Sequence, residues 1–361
     1  MNRQTLMNDV EKTQRLLSEA SASMPVPMRW MWGQALLGWA LFEMDRLRGT
    51  EEFTPMLRAF CDHYAQHPPD IDYADRAAPA LITYAMQKKT GNPAYAALTS
   101  GVLDYIRHAP RVLNDAVNHL GRSLEGRFYP RSIWVDSLMM FGVFPAIYAR
   151  ETGDTALLDF AARQPRLYSD YMQDPEDKLW YHSYWVKAGR HHPRGRIYWG
   201  RGNGWVLAAL PMIMEQTGPD HPEYEGILRV WRDTVDAVLR FENPDHTLNT
   251  VLNQKSYREL SATALAAAGI LHGRRLGLLP EAYRERGEAM FHAVASAIRE
   301  DQNGLYLPEI SAPTIPLHIL PGLCYRLTPR GRNLSYGLAA LAFAAMEIIR
   351  LDEKRAADSR P

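Results

Sequence analysis

One pattern dominates the 361-residue chain: an apolar helical run, a glycine-centred stop, a few polar turn residues, then an amphipathic helix. The apolar runs are WGQALLGWALFEMDRL, APALITYAMQKK, WVDSLMMFGVFPAIYARE, GWVLAALPMIMEQ, LSATALAAAGILHGRRLG and LSYGLAALAFAAMEIIRL. Ala, Leu and Met dominate them and β-branched stretches are scarce, which favours helix over strand. The first five lead into RGTEEFTPMLRAF, KTGNPAYAALTSGVLDYI, ETGDTALLDFAARQPRLY, QTGPDHPEYEGILRVWRDTV and LGLLPEAYRERGEAMFHAV. Glycine past a helix end and polar residues ahead of the next helix are stop and start signals. The sixth run ends near the C-terminus, so its partner is expected from residues 5–19. Six hairpins of uneven spacing argue against a short-period solenoid. They suggest an all-α closed ring, inner helices apolar and outer helices amphipathic, using residues 1–361 as one domain. No Ser/Gly/Pro-rich linker interrupts the pattern.

Composition narrows the function. Lys plus Arg and Asp plus Glu are 41 each, so the balance argues against a broad nucleic-acid footprint and against a basic membrane-surface protein. No stretch of 18 uninterrupted apolar residues occurs, and the opening MNRQTLMNDVEKTQRLLSEASASM lacks the apolar core of a signal peptide. A cytoplasmic protein without membrane partners is expected. Two cysteines, Cys61 and Cys324, allow neither a disulfide framework nor a cysteine metal knuckle. Nine Trp, 18 Tyr and 10 Phe can pack, or can offer flat platforms to a sugar. No feature specifies an oligomeric state.

The unusual residues gather in the long intervals 120–134, 171–204, 241–258 and 303–335, as functional loops on a rigid scaffold do. Asp136 precedes the third apolar run. An aspartate there commonly caps the helix; set among Trp134, Val135, Leu138 and Met139, its carboxyl is also placed to stay protonated near neutral pH. Asp72, with Asp70 and Asp75 beside it, stands similarly before the second run. Two carboxyls at one end of two inner helices could converge for acid–base work on a sugar.

The segment WYHSYWVKAGRHHPRGRIYWGRGNGW offers His182, Trp199, Arg201 and Trp205. Arg201 between tryptophans can pair with a carboxylate while the rings stack on a sugar face. Gly200, Gly202 and Gly204 permit tight turns or close approach. No strand precedes them, so they do not form a dinucleotide fingerprint, and His182, His191 and His192 lack the spacing of a metal site. Glu259 opens the fifth inner helix as a cap or a ligand contact. His318 and Tyr336 border the sixth and read more simply as packing.

On RSIWVDSLMM, HSYW followed by YWGRGNGWVLAAL, SYRELSATAL and the Asp72 helix opening with KKTGNPAYAAL, the chain resembles the unsaturated uronyl hydrolases. These are glycoside hydrolase families 88 and 105, and the unsaturated rhamnogalacturonyl hydrolases of family 105 are the nearer match. The anchors span roughly residues 30–350, and WGRGNGW is the most specific. The resemblance implies an (α/α)6 barrel with its active site at one mouth and no metal or organic cofactor. It also implies a small acidic oligosaccharide substrate carrying a 4,5-unsaturated uronic acid left by a lyase. By it, Asp136 is the general acid/base within a W-x-D motif that begins at Trp134, Asp72 is the supporting carboxylate, and His182 is the pocket histidine. Trp199, Arg201 and Trp205 are then sugar contacts.

The basic stretch HHPRGRIY and the unfamiliar HTLNTVLNQKSY depart from the pattern and leave the parent polysaccharide open. Alternatives are an unsaturated glucuronyl hydrolase, an epimerase or ordinary glycosidase on a similar ring, and a non-catalytic saccharide-binding protein.

Overall fold

The computed structural model describes residues 1–358. Its helices, in chain order, are α1 (Arg3–Ala22), α2 (Trp32–Arg48), α3 (Thr54–Gln66), α4 (Ala80–Thr90), α5 (Pro93–His108), α6 (Leu124–Phe128) and α7 (Phe144–Thr152). They continue with α8 (Thr155–Met172), α9 (Gly200–Thr217), α10 (Tyr224–Leu239), α11 (Leu260–Arg275), α12 (Ala282–Ser296), α13 (Pro321–Leu327) and α14 (Ser335–Asp358).

The inner ring closes on itself: α2 packs on α4, α4 on α7, α7 on α9, α9 on α11, α11 on α14, and α14 back on α2. The outer helices α3, α5, α8, α10 and α12 each follow an inner partner. The sixth outer place is taken by α1, which packs on α14 and α12, so the start of the chain fills the gap left at its end. This is the six-hairpin (α/α)6 toroid. Among the described residues no helix is long and apolar enough to cross a membrane.

Burial follows the two kinds of helix. On α10 the buried residues Ile227, Leu228, Trp231, Thr234, Val235, Ala237 and Val238 lie on one face. On α11 every residue from Leu260 to Gly273 is buried, as expected of a helix apolar all round. Small residues let α9 and α11 approach. A Cβ at Gly269 would collide with the Leu207 carbonyl, and one at Gly204 would lie 2.9 Å from Leu265 Cβ.

The two ends of the ring differ. Inner helices pass to outer ones through very short turns, where Gly91 (φ 68°) and Gly153 (φ 78°) take the left-handed conformation that ends α4 and α7. The return connections are long and hold all the strands of the described residues. These are β1 (Arg111–Val112), β2 (Ala116–Val117), β3 (Ser132–Trp134), β4 (Ser183–Trp185), β5 (Arg190–His192), β6 (Arg299–Asp301), β7 (Gly304–Tyr306), β8 (Ile310–Ser311) and β9 (Arg330–Gly331). Strands β3, β4 and β5 form an antiparallel sheet that aligns Trp134, Ser183 and His192. The end from which the inner helices start is therefore a built mouth.

Candidate active site

Asp136 lies between β3 and a π-helical turn, Met139–Val143, that runs directly into α7. Its backbone carbonyl accepts from Met139 N at 3.0 Å, whereas its Oδ2 is buried with no hydrogen-bond partner. The side chain is thus not spent on capping. Burial pushes its pKa up to about 6, against the pull of the Arg201 charge.

Asp75 lies near enough to Asp136 for the Asp136 charge to act on its carboxyl. Asp75 sits in the 3-10 turn Ala74–Arg76, and its pKa is pushed up to about 8 by burial first and by the Asp136 charge second. Water can still reach 22% of this side chain, so it lies in a crevice walled by protein rather than in a sealed core. Asp72 instead stands 3.4 Å from the Arg76 guanidinium, and its carbonyl accepts from Arg122 N. Asp72 Oδ1 is itself buried with no hydrogen-bond partner, as Asp136 Oδ2 is, so Asp72 and Asp75 both stand as candidate partners of Asp136. Asp72 precedes the 3-10 turn that carries Asp75.

A neutral histidine attends each carboxyl. His182 Nε2 is 3.6 Å from Asp136 Oδ2, and His119 Nε2 is 3.9 Å from Asp75 Oδ1. Burial holds both imidazoles below their ordinary pKa, His119 at about 3 and His182 far down, the latter also under nearby positive groups. Their Nδ1 atoms meet hydroxyls, Ser137 Oγ at 2.8 Å and Tyr325 Oη at 2.9 Å respectively. Trp134 joins the two halves: it stacks on His119 (centroids 4.4 Å, 11°) and meets His182 edge-on (5.3 Å, 78°). Its own Nε1 donates to Ser132 Oγ at 2.9 Å.

Trp199 stacks on the other face of this assembly, 4.1 Å from the His182 ring at 16°. The Arg201 guanidinium lies between Trp199 and Tyr336, 4.7 Å from each ring. Its Nη1 donates to the Ser311 carbonyl and hydroxyl, and Nη2 donates to Ala312 O at 3.1 Å and Thr314 Oγ1 at 3.2 Å. The free bidentate fork expected of Arg201 is therefore occupied, and Nε is the buried nitrogen with no partner.

Glu259 explains why. It caps α11 through Ala262 N (2.6 Å), accepts from Ser261 Oγ (2.7 Å) and Ser311 N (2.9 Å), and faces Arg201 Nη1 at 3.8 Å. It is both cap and anchor of the arginine. Trp205 is fully buried, edge-on to Trp32 at 6.0 Å, with its Nε1 unpartnered like that of Trp199.

The three glycines of GRGNG are helical residues of α9, not turns. They serve close approach: a Cβ at Gly202 would lie 2.7 Å from the Trp199 ring. Asn203 ties the neighbouring loop down through Trp180 N (2.8 Å) and Trp180 O (3.1 Å). The basic loop is mostly internal bracing. Arg196 pairs with Glu176 (2.5 Å) and Asp174 (3.4 Å), His191 stacks on Tyr181 at 3.5 Å, and His192 Nε2 bonds Leu317 O at 2.8 Å. His318 packs against Trp185 and Tyr129 over the mouth.

Sequence reasoning missed His119, Ser311, Trp32 and Tyr325, and named Asp75 only as a neighbour of Asp72. Asp75 was recoverable, because only Arg76 separates it from the apolar run AAPAL. A cavity of about 770 Å³ also opens at the opposite end, beneath Trp39, Phe144 and Phe343. No residue of this site lines it, and its charges are spent on one another, as Arg275 is on Glu215 (2.8 Å) and Glu347 (2.6 Å).

A helical toroid with two buried carboxyls and stacked indoles at one mouth is the architecture of a six-hairpin glycoside hydrolase. The model of Glycosyl Hydrolase Family 88 matches residues 4–352, and the chain belongs to that family. It is 26% identical over 347 residues to the unsaturated rhamnogalacturonyl hydrolase YesR of Bacillus subtilis (strain 168), covering 94% of this chain and 96% of that one. It is 23% identical over 233 residues to an unsaturated 3S-rhamnoglycuronyl hydrolase of Alteromonas sp. (strain LOR), covering 63% of this chain and 53% of the relative. Among solved structures, a possible GH105 member from Salmonella enterica superimposes with a TM-score of 0.83 at 21% identity, over 98% of this chain and 95% of that one.

Proposed function

We propose that this protein releases a 4,5-unsaturated uronic acid from the non-reducing end of lyase-generated oligosaccharides, with Asp136 as general acid/base and Asp75 as its supporting carboxyl. One observation carries the reading: a buried Asp136 carboxyl, raised to about 6, whose unpartnered Oδ2 lies 3.6 Å from the equally unpartnered His182 Nε2. An acid of raised pKa with unspent hydrogen-bonding capacity beside it suits a substrate whose ring must be protonated.

The chemistry balances on one side chain. Asp136 gives its proton to C4 of the vinyl ether, and positive charge develops at C5, shared with the ring oxygen. Water adds at C5 and returns a proton to the Asp136 carboxylate. The hemiketal opens by breaking the C5–O5 bond, giving a ketone at C5 and a hemiacetal at C1. That hemiacetal collapses to an aldehyde and expels the remaining saccharide as an alcohol. This is hydration followed by elimination, so the carboxyl separation that distinguishes ordinary retaining and inverting enzymes does not apply.

Two relatives named for rhamnose-containing substrates support a rhamnose-linked leaving group, with rhamnogalacturonan as the source. The test is loss of the ultraviolet absorbance of the conjugated C4=C5 bond when purified protein meets lyase-generated disaccharides. Consumption of the rhamnose-linked product alone supports the full reading. Consumption only of glucuronyl products linked to other sugars moves the assignment to the glucuronyl class, and no consumption of any of them overturns it.

A further inference from the structure

We propose that Tyr325 is a positioning residue that fixes His182 in the tautomer carrying its proton on Nε2, toward Asp136. The inference rests on Asp136 being the acid of the proposed function.

Tyr325 belongs to α13, in the segment that crosses the mouth between β8 and β9. That segment is tied down around the site: Tyr129 Oη donates to Pro316 O at 2.8 Å, and Tyr257 Oη donates to Thr328 O at 3.1 Å. Through it a residue 143 positions from His182 brings its hydroxyl 2.9 Å from Nδ1, with both groups buried.

Two proton arrangements are conceivable at this contact, and their surroundings decide between them. If Nδ1 carried the proton, the phenol would accept it, and its own hydrogen would have no acceptor among the described residues. The Nε2 lone pair would then face the carboxyl oxygen of Asp136. If the phenol donates to Nδ1, its hydrogen is satisfied and Nε2 carries an N–H aimed at Oδ2, 3.6 Å away. The two otherwise unpartnered atoms, His182 Nε2 and Asp136 Oδ2, become a donor and an acceptor. Burial keeps Tyr325 protonated and His182 neutral, so the tautomer is the free variable. The Trp199 and Trp134 rings hold the imidazole plane, but neither selects which nitrogen is protonated.

The N–H at Nε2 stabilises the carboxylate that Asp136 becomes after protonating C4, and holds Oδ2 to receive the proton from the incoming water. The opposite tautomer would set a lone pair against that developing charge.

The test reads the ring nitrogens of His182 by 15N NMR in the unliganded protein, with turnover measured alongside. In the wild type a single tautomer with the proton on Nε2 is expected. In Tyr325→Phe, which keeps the ring, a mixture shifted toward Nδ1–H is expected, with kcat reduced about tenfold and KM changed less than about threefold. In a His182→Gln background, whose amide nitrogen stands near the Nε2 place, adding Tyr325→Phe is expected to cost nothing further. An Nδ1-protonated wild type, or a Tyr325→Phe protein with an unchanged tautomer, overturns the proposal. The NMR readout needs no substrate, so failure of the hydrolase reading shows separately, as a wild type that consumes no unsaturated saccharide.

Discussion

His182 Nε2 stands 3.6 Å from Asp136 Oδ2, and neither atom has a hydrogen-bond partner. The arrangement is repeated nearby in His119 and Asp75, at 3.9 Å. Each histidine is held neutral by burial and each aspartate is raised by it, so neither pair is a fixed salt bridge. A true ion pair would lower the carboxyl pKa and remove the proton that the reaction needs. Desolvation by the surrounding protein weighs more than the neighbouring charges at both carboxyls.

The pH dependence of kcat/KM follows from that sign. Asp136 delivers a proton, so activity is present below its pKa and lost as pH rises through about 6. Asp136→Asn cannot deliver one. Its turnover is expected to fall by about 10²–10⁴-fold while binding of the unsaturated disaccharide persists. Initial rates across pH 4–8, together with calorimetric titration of the variant, check both points. Unchanged turnover would remove Asp136 from the acid role.

Exchanging the two candidate partners gives unequal results. Asp75→Ala removes the carboxyl that interacts with Asp136, and kcat/KM is expected to drop at least about tenfold. Asp72→Asn neutralises a carboxyl whose Oδ1 is buried without a hydrogen-bond partner, 3.4 Å from the Arg76 guanidinium, and is expected to cost less than Asp75→Ala. Steady-state kinetics of the pair decide. The reverse order would restore Asp72 as the supporting group.

The ring was legible because each hairpin repeats its own signals, including the chain start that completes α14. Asp136 and the tryptophans were legible because unusual residues stood in long intervals at one end. Which aspartate supports Asp136 was not, since Asp72 and Asp75 stand three positions apart, Asp75 within a 3-10 turn, with like residues around both. Arg201 was identified as a site residue, but its occupied fork was not. The carbonyls that occupy it come from Ser311 and Ala312, about 110 positions away. Tyr325 had no local signal at all, because its meaning comes from a long-range contact.

The close approach of α9 and α11 predicts a severe small substitution. Gly269→Ala would drive a methyl against the Leu207 carbonyl, a backbone atom that cannot swing away. A loss of about 1–3 kcal/mol in unfolding free energy is expected, despite the better helix propensity of alanine. Gly226 on outer helix α10 has only the Arg166 side chain near, at 3.7 Å, so Gly226→Ala is expected to be neutral or stabilising. Denaturant titration of the two variants makes the comparison. Equal stabilities would mean the α9–α11 contact is not tight.

Asp75 also ties stability to pH. Its folded pKa of about 8 lies far above the roughly 3.9 of an unfolded aspartate. Between those values the folded chain holds a proton that the unfolded chain has released. Stability from this group therefore falls as pH rises from about 4 to 8, and levels off once both states are ionised. Asp75→Asn cannot ionise and escapes that loss. The variant is expected to melt at least about 3 °C above the wild type at pH 8, and within about 1 °C of it at pH 4. Function and stability then oppose each other at one residue, since the buried carboxyl that weakens the fold at high pH is the one set beside Asp136. Melting curves at the two pH values are the measurement. An equal gain at both would place the effect in packing and take the raised Asp75 carboxyl out of the account.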